Sequence, residues 1–334
     1  MIISYLGYGK LSAFRRHLSV KIDHLILHDD YISMDELDFE RRFGGIARLY
    51  GNSALARFQA AHVCVVGVGG VGSWVVEALA RSAVGTITLI DLDNVAESNI
   101  NRQIQALTST LGQAKVHALA ERVAEINPLC RVIQVEDFIT PENLPELIGV
   151  PGFSYVVDAI DNVKAKTALL AFCRAEAIPI VTIGGAGGQI DPGRIEIRDL
   201  CRTEQEPLLS LVRKRLRQNF GFPRGVKNKF GIDAVFSMEP VQLPEANCQI
   251  DELAAGTRDG DSAGISGLNC AGYGSAMVVT ASFGMQAAAL VLRRLALPQP
   301  VMAFSPRSGT VAADLSSDVI LGTMSNTDSA SQPD

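Results

Sequence analysis

The sequence predicts an α/β protein built on a doubly wound, mostly parallel sheet, and three observations carry that prediction. Short runs rich in valine and isoleucine alternate with stretches of helical period. A glycine-rich turn joins the first such run to the first helix. The alternation continues from His62 to Ile183 without an internal repeat. Strands separated by helices need crossover connections, so the sheet they form is parallel and covered on both faces.

The elements follow in order. Ser33-Met34-Asp35-Glu36 has the pattern of a capping box, so a helix is expected to start there, after an N-terminal extension over residues 1–32 that lacks a period. His62 to Val66 is a short apolar strand, Ser73 to Ser82 a helix and Thr86 to Ile90 a strand. Gln113 to Ile126 places Val116, Leu119, Ala120, Val123 and Ile126 on one helical face and must stop before Pro128. Arg131 to Glu136, Tyr155 to Ile160 and Pro179 to Ile183 are strands, with a helix from about Asn162 to Glu176. From Asp191 the pattern gives way to a charged insertion, an apolar helix and a Ser- and Asp-rich tail expected to be disordered over 323–334. The expected division is 33–190 for nucleotide binding and 191–322 for a substrate-binding insertion and the C-terminal part of the same fold.

Composition bounds the function. With 334 residues, 47% of them hydrophobic and 20% charged, the chain is globular, and its net charge of -6 excludes a histone-like polycation. Six cysteines lie far apart with no C-x-x-C pair, which argues against a disulfide framework or a zinc knuckle and for a reducing, cytoplasmic setting. Cys270 to Leu292 runs 23 residues without a charge, long enough to cross a bilayer. Its alanines, glycines and serines drive insertion weakly and suit close packing, so a buried helix supporting a homodimer is expected, with membrane association through 270–292 as the alternative.

Gly67-Val68-Gly69-Gly70-Val71-Gly72 lies between a strand and a helix, the setting in which G-x-G-x-x-G binds a phosphate. Asp91 ends the next strand, where a carboxylate meets ribose hydroxyls. Alone, this pattern fits a dehydrogenase. Arg102 in Ser98-Asn99-Ile100-Asn101-Arg102-Gln103 and Lys115 in Gly112-Gln113-Ala114-Lys115 turn the reading toward a triphosphate, since a nicotinamide site has no use for these cations. Asp158-Ala159-Ile160-Asp161-Asn162 adds carboxylates at the carboxyl end of another strand, where one can hold Mg²⁺ between phosphates.

Over about Arg42 to Gly188, these motifs in this order resemble the ThiF-type adenylating superfamily, relatives of ubiquitin-activating enzyme with a Rossmann-like fold that join AMP to a carboxylate. The resemblance implies that Gly67, Gly69, Gly70 and Gly72 admit the phosphates and that Asp91, with Asp93, binds on the ribose side. It implies that Asn99 and Asn101 orient the phosphates, that Arg102 and Lys115 neutralise them, and that Asp161 holds Mg²⁺ with Asn162 beside it. Arg102, Lys115 and Asp161 are thereby the catalytic set, with ATP and Mg²⁺ required. Family members pair as homodimers or pseudodimers, and many use a partner Arg from an N-terminal helix. Here Arg41-Arg42-Phe43-Gly44-Gly45-Ile46-Ala47-Arg48 lacks the usual R-x-x-R-Q pattern.

Two branches compete for the substrate. Sulfur-carrier activators adenylate a terminal glycine of a small protein and commonly carry two C-x-x-C pairs, absent here. Instead, Arg213, Lys214, Arg215, Arg217, Arg224, Lys227 and Lys229 place seven cations in 17 residues, with no acid between Pro207 and Ile232 and with Phe220, Phe222 and Phe230 interleaved. Such a stripe suits a phosphate backbone, with aromatic faces for unpaired bases. Gly184 to Pro192, Asp199-Leu200, Thr203, Glu206-Pro207-Leu208 and Gly231 to Pro240 resemble the ThiF-type branch that dehydrates threonylcarbamoyladenosine in tRNA. That extends the resemblance to about Met34 to Leu295. Ala234 stands where some members have Cys, so no thiol is required there, and Cys201 is expected to be structural. The implied partners are tRNA and a second copy of the chain; a cysteine desulfurase with its sulfur acceptor is carried as an auxiliary one.

Overall fold

In the computed structural model, residues 38–242 and 273–298 are described. The extension 1–32, the Ser33 to Glu36 capping box, Cys270 to Gly272 and the 323–334 tail lie outside them. Helix α1 (Phe39–Tyr50) starts where Asp38 accepts a hydrogen bond from the Arg41 N–H, and α2 (Asn52–Ala60) follows it. Next come β1 (His62–Val66), α3 (Gly72–Ala80), β2 (Thr86–Ile90), α4 (Lys115–Ile126), β3 (Arg131–Val135), β4 (Tyr155–Asp158), α5 (Val163–Ala175) and β5 (Ile180–Ile183). The rest comprises β6 (Ile195–Asp199), α6 (Pro207–Asn219), β7 (Asp233–Ser237) and α7 (Met277–Ala296).

These strands form one seven-stranded sheet in the order β3-β2-β1-β4-β5-β7-β6, parallel except for β6, which runs antiparallel to β7. The anticipated strands are present, ending a residue or two earlier in β3 and β4. β6 and β7 were hidden in the charged insertion. β6 carries Glu196, Arg198 and Asp199 and pairs on one side only, so its residues are half-exposed rather than apolar. Successive side chains of β1 point to opposite faces, as strand geometry requires. Val63 and Val65 join Phe58, Val75, Leu79, Leu119, Phe283 and Val291 on one face. Cys64 and Val66 join Val156, Leu169, Leu209, Val212 and Phe236 on the other.

From Met277 onward, the apolar run of the C-terminal segment is the packed helix α7. Val279, Phe283, Ala287, Val291 and Leu295 are buried at helical spacing. Gly284 lies so close to α3 that a Cβ there would stand 2.7 Å from the Val71 carbonyl oxygen and 2.8 Å from the Trp74 Cβ. Small residues are thus used for backbone approach inside the protein. Among the described residues no helix is long and apolar enough to cross a membrane.

Two ion pairs lock the helix that follows the glycine turn. Buried Glu77 on α3 receives Arg122 of α4 at 2.7 Å and 3.0 Å and Arg81 at 2.7 Å. Burial alone would raise its carboxyl, but the two guanidiniums more than offset that and hold it below its ordinary range. A depressed carboxylate stabilises the fold above its unfolded pKa and loses that contribution as pH falls through the folded one. Glu77→Gln is therefore expected to cost about 1–2 kcal/mol in urea unfolding at pH 7. The difference from wild type should shrink as pH falls below the ordinary carboxyl value of 4.5. A difference independent of pH would show that the charge of Glu77 is not what locks α3 to α4.

Candidate nucleotide and substrate site

Between β1 and β4 the strand order reverses direction, and this is where doubly wound sheets open a crevice for ligands at their carboxyl ends. The crevice here is a cavity of about 680 Å³, within the range that holds a nucleotide-sized ligand. Gly67, Gly69, Gly70, Asp91, Asp93, Asn99, Arg102, Lys115, Asp161 and Asn162 all line it. Gly72 and Asn101 do not. Gly72 opens α3 against the turn itself: a Cβ there would stand 1.9 Å from the Gly67 carbonyl oxygen. Gly67, at φ 82°, has no room for a side chain against the Ala159 carbonyl, 2.9 Å from an added Cβ. The bare turn leaves the backbone of Gly69, Gly70 and Val71, just ahead of α3, as the cavity floor.

Asp91 fixes this floor. Its Oδ2 accepts from the Val68 N–H at 2.8 Å and its Oδ1 from the Asp93 N–H at 2.9 Å. Burial pushes the Asp91 carboxyl up from its ordinary value, while the nearby Lys115 ammonium and the two N–H donors pull the other way. Lys115, at the first turn of α4, is buried with its Nζ 2.7 Å from Asp93 and 3.8 Å from Asp91. Two carboxylates therefore hold the ammonium at the wall.

Arg102 lies over Gly70, where an added Cβ would meet its Cδ at 3.2 Å. Its carbonyl accepts from the Trp74 indole at 2.9 Å and the Thr280 hydroxyl at 3.4 Å, so both α3 and α7 hold it. Its Nη1 donates to the Ser98 carbonyl and to Asn101 Oδ1. Asn101 accordingly orients Arg102, and donates to the Ser275 carbonyl at 2.8 Å, instead of facing the cavity as the motif implied. Asn99 Oδ1 caps its own turn through the Ala96 N–H. On the far side, Asn162 caps α5 by accepting from the Lys164 and Ala165 N–H groups, which commits its oxygen and leaves its amide for a ligand.

Asp161 is exposed to the crevice at the carboxyl end of β4. Among the described residues no cluster of three or more potential ligand side chains occurs. One carboxylate completed by phosphate oxygens and water is the usual arrangement for Mg²⁺, so the residues fit that ion. Two parts of the wall gave no individual site residue in the sequence: the loop from Asp137 to Glu142 and the strip Gly184 to Gly187. The first carries no motif, although it follows β3 into the same edge of the sheet.

The basic segment divides in two. α6 buries Leu208, Leu209, Val212 and Leu216, turning Lys214 to solvent with Arg215 half-exposed. Arg213 is half-buried and donates to the Thr203 hydroxyl, and Arg217 lies 5.2 Å over the Phe230 ring. Arg224, Lys227 and Lys229 are exposed on the following loop. Asp199 staples that loop by accepting from the Phe230 and Gly231 N–H groups. The interleaved aromatics do not form a stacking row: Phe230 is buried, Phe222 packs edge-on against it at 4.9 Å, and Phe220 is the exposed member. Phe222 and Phe230 instead complete the core beneath α6. Cys201 is buried and donates to the Val226 carbonyl, and its thiol is raised by burial and by Asp199, as expected of a structural cysteine.

Fold and cavity define the class, a nucleotide-binding protein whose phosphate turn is faced by an arginine and a lysine. The chain belongs to the ThiF family, whose profile matches residues 44–303. It is 49% identical over 258 residues to the tRNA threonylcarbamoyladenosine dehydratase of Escherichia coli (strain K12), covering 77% of this chain and 94% of that one. The enzyme of the same name from Haemophilus influenzae is 48% identical over 259 residues, with 77% and 94% covered. The crystal structure of the E. coli enzyme in complex with ATP superposes with a TM-score of 0.67 at 47% identity, covering 79% of this chain and 96% of that chain. Molybdopterin-synthase adenylyltransferase of Salmonella typhimurium is 36% identical over 122 residues, 36% of this chain and 48% of that one.

Proposed function

We propose that this chain uses ATP to dehydrate threonylcarbamoyladenosine in tRNA through a carboxyl-adenylate, releasing AMP and pyrophosphate. The observation that carries the reading is the pair Arg102 and Lys115 facing the glycine turn in one cavity, in a chain that aligns with nearly the full length of dehydratases of that name. Against the sulfur-carrier alternative, this chain lacks the two C-x-x-C pairs that such activators commonly carry. The proposed division is 33–190 for ATP binding and 191–322 for the tRNA-binding insertion and the C-terminal part of the same fold, from which Leu208, Ser275 and Thr280 reach the cavity.

In the first step the threonyl carboxylate attacks the α-phosphorus and pyrophosphate leaves. Charge grows on the leaving phosphates, where Arg102 and Lys115 are already fixed by Ser98, Asn101 and Asp93 and need not reorganise. Asp161 would hold Mg²⁺, which supplies further charge compensation to the phosphates. In the second step a nitrogen of the same modified nucleoside attacks the activated carbonyl, loses its proton to solvent and expels AMP. A five-membered ring closes, and proximity within one substrate takes the place of an enzyme nucleophile. The oxygen lost from the carboxyl departs on AMP, so the nucleoside loses one water overall.

Incubation with ATP and tRNA bearing threonylcarbamoyladenosine, followed by nucleoside mass spectrometry, is expected to show loss of one water. Arg102→Ala should abolish that product and AMP release while leaving the unfolding transition in place. An unchanged nucleoside, or calorimetry in which NAD binds more tightly than ATP with Mg²⁺, would overturn the reading.

The exposed cations of α6 and its loop are proposed to grip the tRNA backbone. Replacing Lys214, Arg215, Arg224, Lys227 and Lys229 by Gln should weaken tRNA binding and lower its salt slope by roughly one per lost phosphate contact. ATP affinity should hold. Unchanged tRNA affinity would remove the segment from the interface.

The enzyme is also proposed to be a cytoplasmic homodimer. α1 presents Arg41 and Arg48 to solvent beside the 75% exposed Leu49, whereas Arg42 is engaged by the Ile126 carbonyl at 2.9 Å. Light scattering without detergent should give a particle near twice the 35.7 kDa chain mass. A monomer, or recovery only from membranes, would contradict this.

A further inference from the structure

Behind the cavity wall lies a charge that the mechanism does not use. Lys166, on the first turn of α5, is fully buried, and so is Asp158 at the end of β4, with Nζ 2.9 Å from Oδ2. The ammonium also donates to the Ile160 carbonyl at 2.9 Å and the Asp158 carbonyl at 3.4 Å. Asp158 in turn accepts from the Thr182 hydroxyl at 2.7 Å and the Ile160 N–H at 3.1 Å. Its carboxyl is raised by burial, against the pull of Lys166 and Thr182. Burying an ion pair costs desolvation that an apolar pair of similar volume avoids, so stability alone is a weak reason to keep it. What the pair does hold is specific: the ammonium's hydrogen bonds and its close ion pair all fall on Asp158 or Ile160, the residues that lead into Asp161, while buried Glu206 interacts with it only through charge.

We propose that Lys166 is a positioning residue for adenylation, clamping the Asp158 to Ile160 backbone so that Asp161 is presented to the metal-bound phosphates. Asp161 is then fixed from both sides. Lys166 and Asp158 hold its N-terminal neighbour Ile160, and Asn162 anchors the other side by capping α5. The lysine acts through the backbone and touches no reacting atom. This inference rests on Asp161 as the metal-holding carboxylate.

The test compares wild type, D161N and the double variant D158N/K166M, which removes both buried charges together. Mn²⁺ serves as the metal probe, its affinity in the presence of ATP read by electron paramagnetic resonance. ATP affinity without divalent metal is read by calorimetry. For the double variant, both kcat for dehydration and Mn²⁺ affinity are expected to fall by about 10–100-fold, the range for residues that orient a metal ligand from behind. Metal-free ATP affinity should stay within about three-fold of wild type, with cooperative unfolding retained, which separates positioning from general collapse of the site. Wild-type kcat and Mn²⁺ affinity in the double variant would overturn the inference, as would loss of cooperative unfolding, which would make the pair a structural prop. If D161N leaves Mn²⁺ affinity unchanged, the metal role of Asp161 fails. The positioning inference, which rests on that role, fails with it, whereas lowered Mn²⁺ affinity in D161N beside wild-type values in the double variant would sink the positioning inference alone.

Discussion

The backbone between β1 and α3 must turn within contact distance of the main chain after β4 and of itself. Gly67 faces the Ala159 carbonyl across the switch point, and Gly72 faces the Gly67 carbonyl within the turn, so neither position has space for a Cβ. Any side chain there would push α3 away from β1 and close the gap that phosphates must enter. The rest of the site is arranged around that bare turn. Asp91 ties the Val68 N–H in place, Arg102 covers Gly70, and the glycine-bearing face of α7 packs on α3 closely enough to reach the Arg102 carbonyl through Thr280.

Around this floor the charges are prepaired and offset from one another. Lys115 rests between Asp91 and Asp93, and Arg102 is steadied by Ser98 and Asn101, so both cations are in place before a triphosphate arrives. Such preorganisation avoids a reorganisation cost as charge develops on the leaving group. Glu206 plays a comparable part across the cavity. It is buried, accepts from the Gly185 N–H at 2.8 Å, and also caps α6 through Leu208 and Leu209. One carboxylate thus joins the cavity wall to the helix that carries the basic residues.

Much of this was legible in the sequence because the determinants are local. Runs such as His62-Val63-Cys64-Val65-Val66 mark a strand buried on both faces, and glycine spacing marks a turn that only glycine can make. Where a residue's role depends on distant partners, the sequence was less informative. β6 reads as a polar stretch because an edge strand has little to bury. Asn101 sits in a phosphate motif yet orients Arg102, and Phe222 and Phe230 sit among cations yet fill the core under α6. The Asp137 to Glu142 loop enters the cavity through sheet order alone, which no residue in it encodes. Lys166 looks like an ordinary helix-surface lysine until the Asp158 side chain is found beneath it.

Adenylation of the substrate carboxylate is tested most directly by following its oxygen. With ¹⁸O in both carboxyl positions of the threonylcarbamoyl group and single turnover in unlabelled water, attack on the α-phosphorus leaves one heavy oxygen on AMP when the ring closes. AMP carrying one ¹⁸O, together with unlabelled pyrophosphate, is the expected result. Label in inorganic phosphate alongside ADP would mean that the γ-phosphoryl group is transferred instead. Label released only to water would mean that no carboxyl-phosphate is formed, and either outcome would contradict the role assigned here to Arg102 and Lys115.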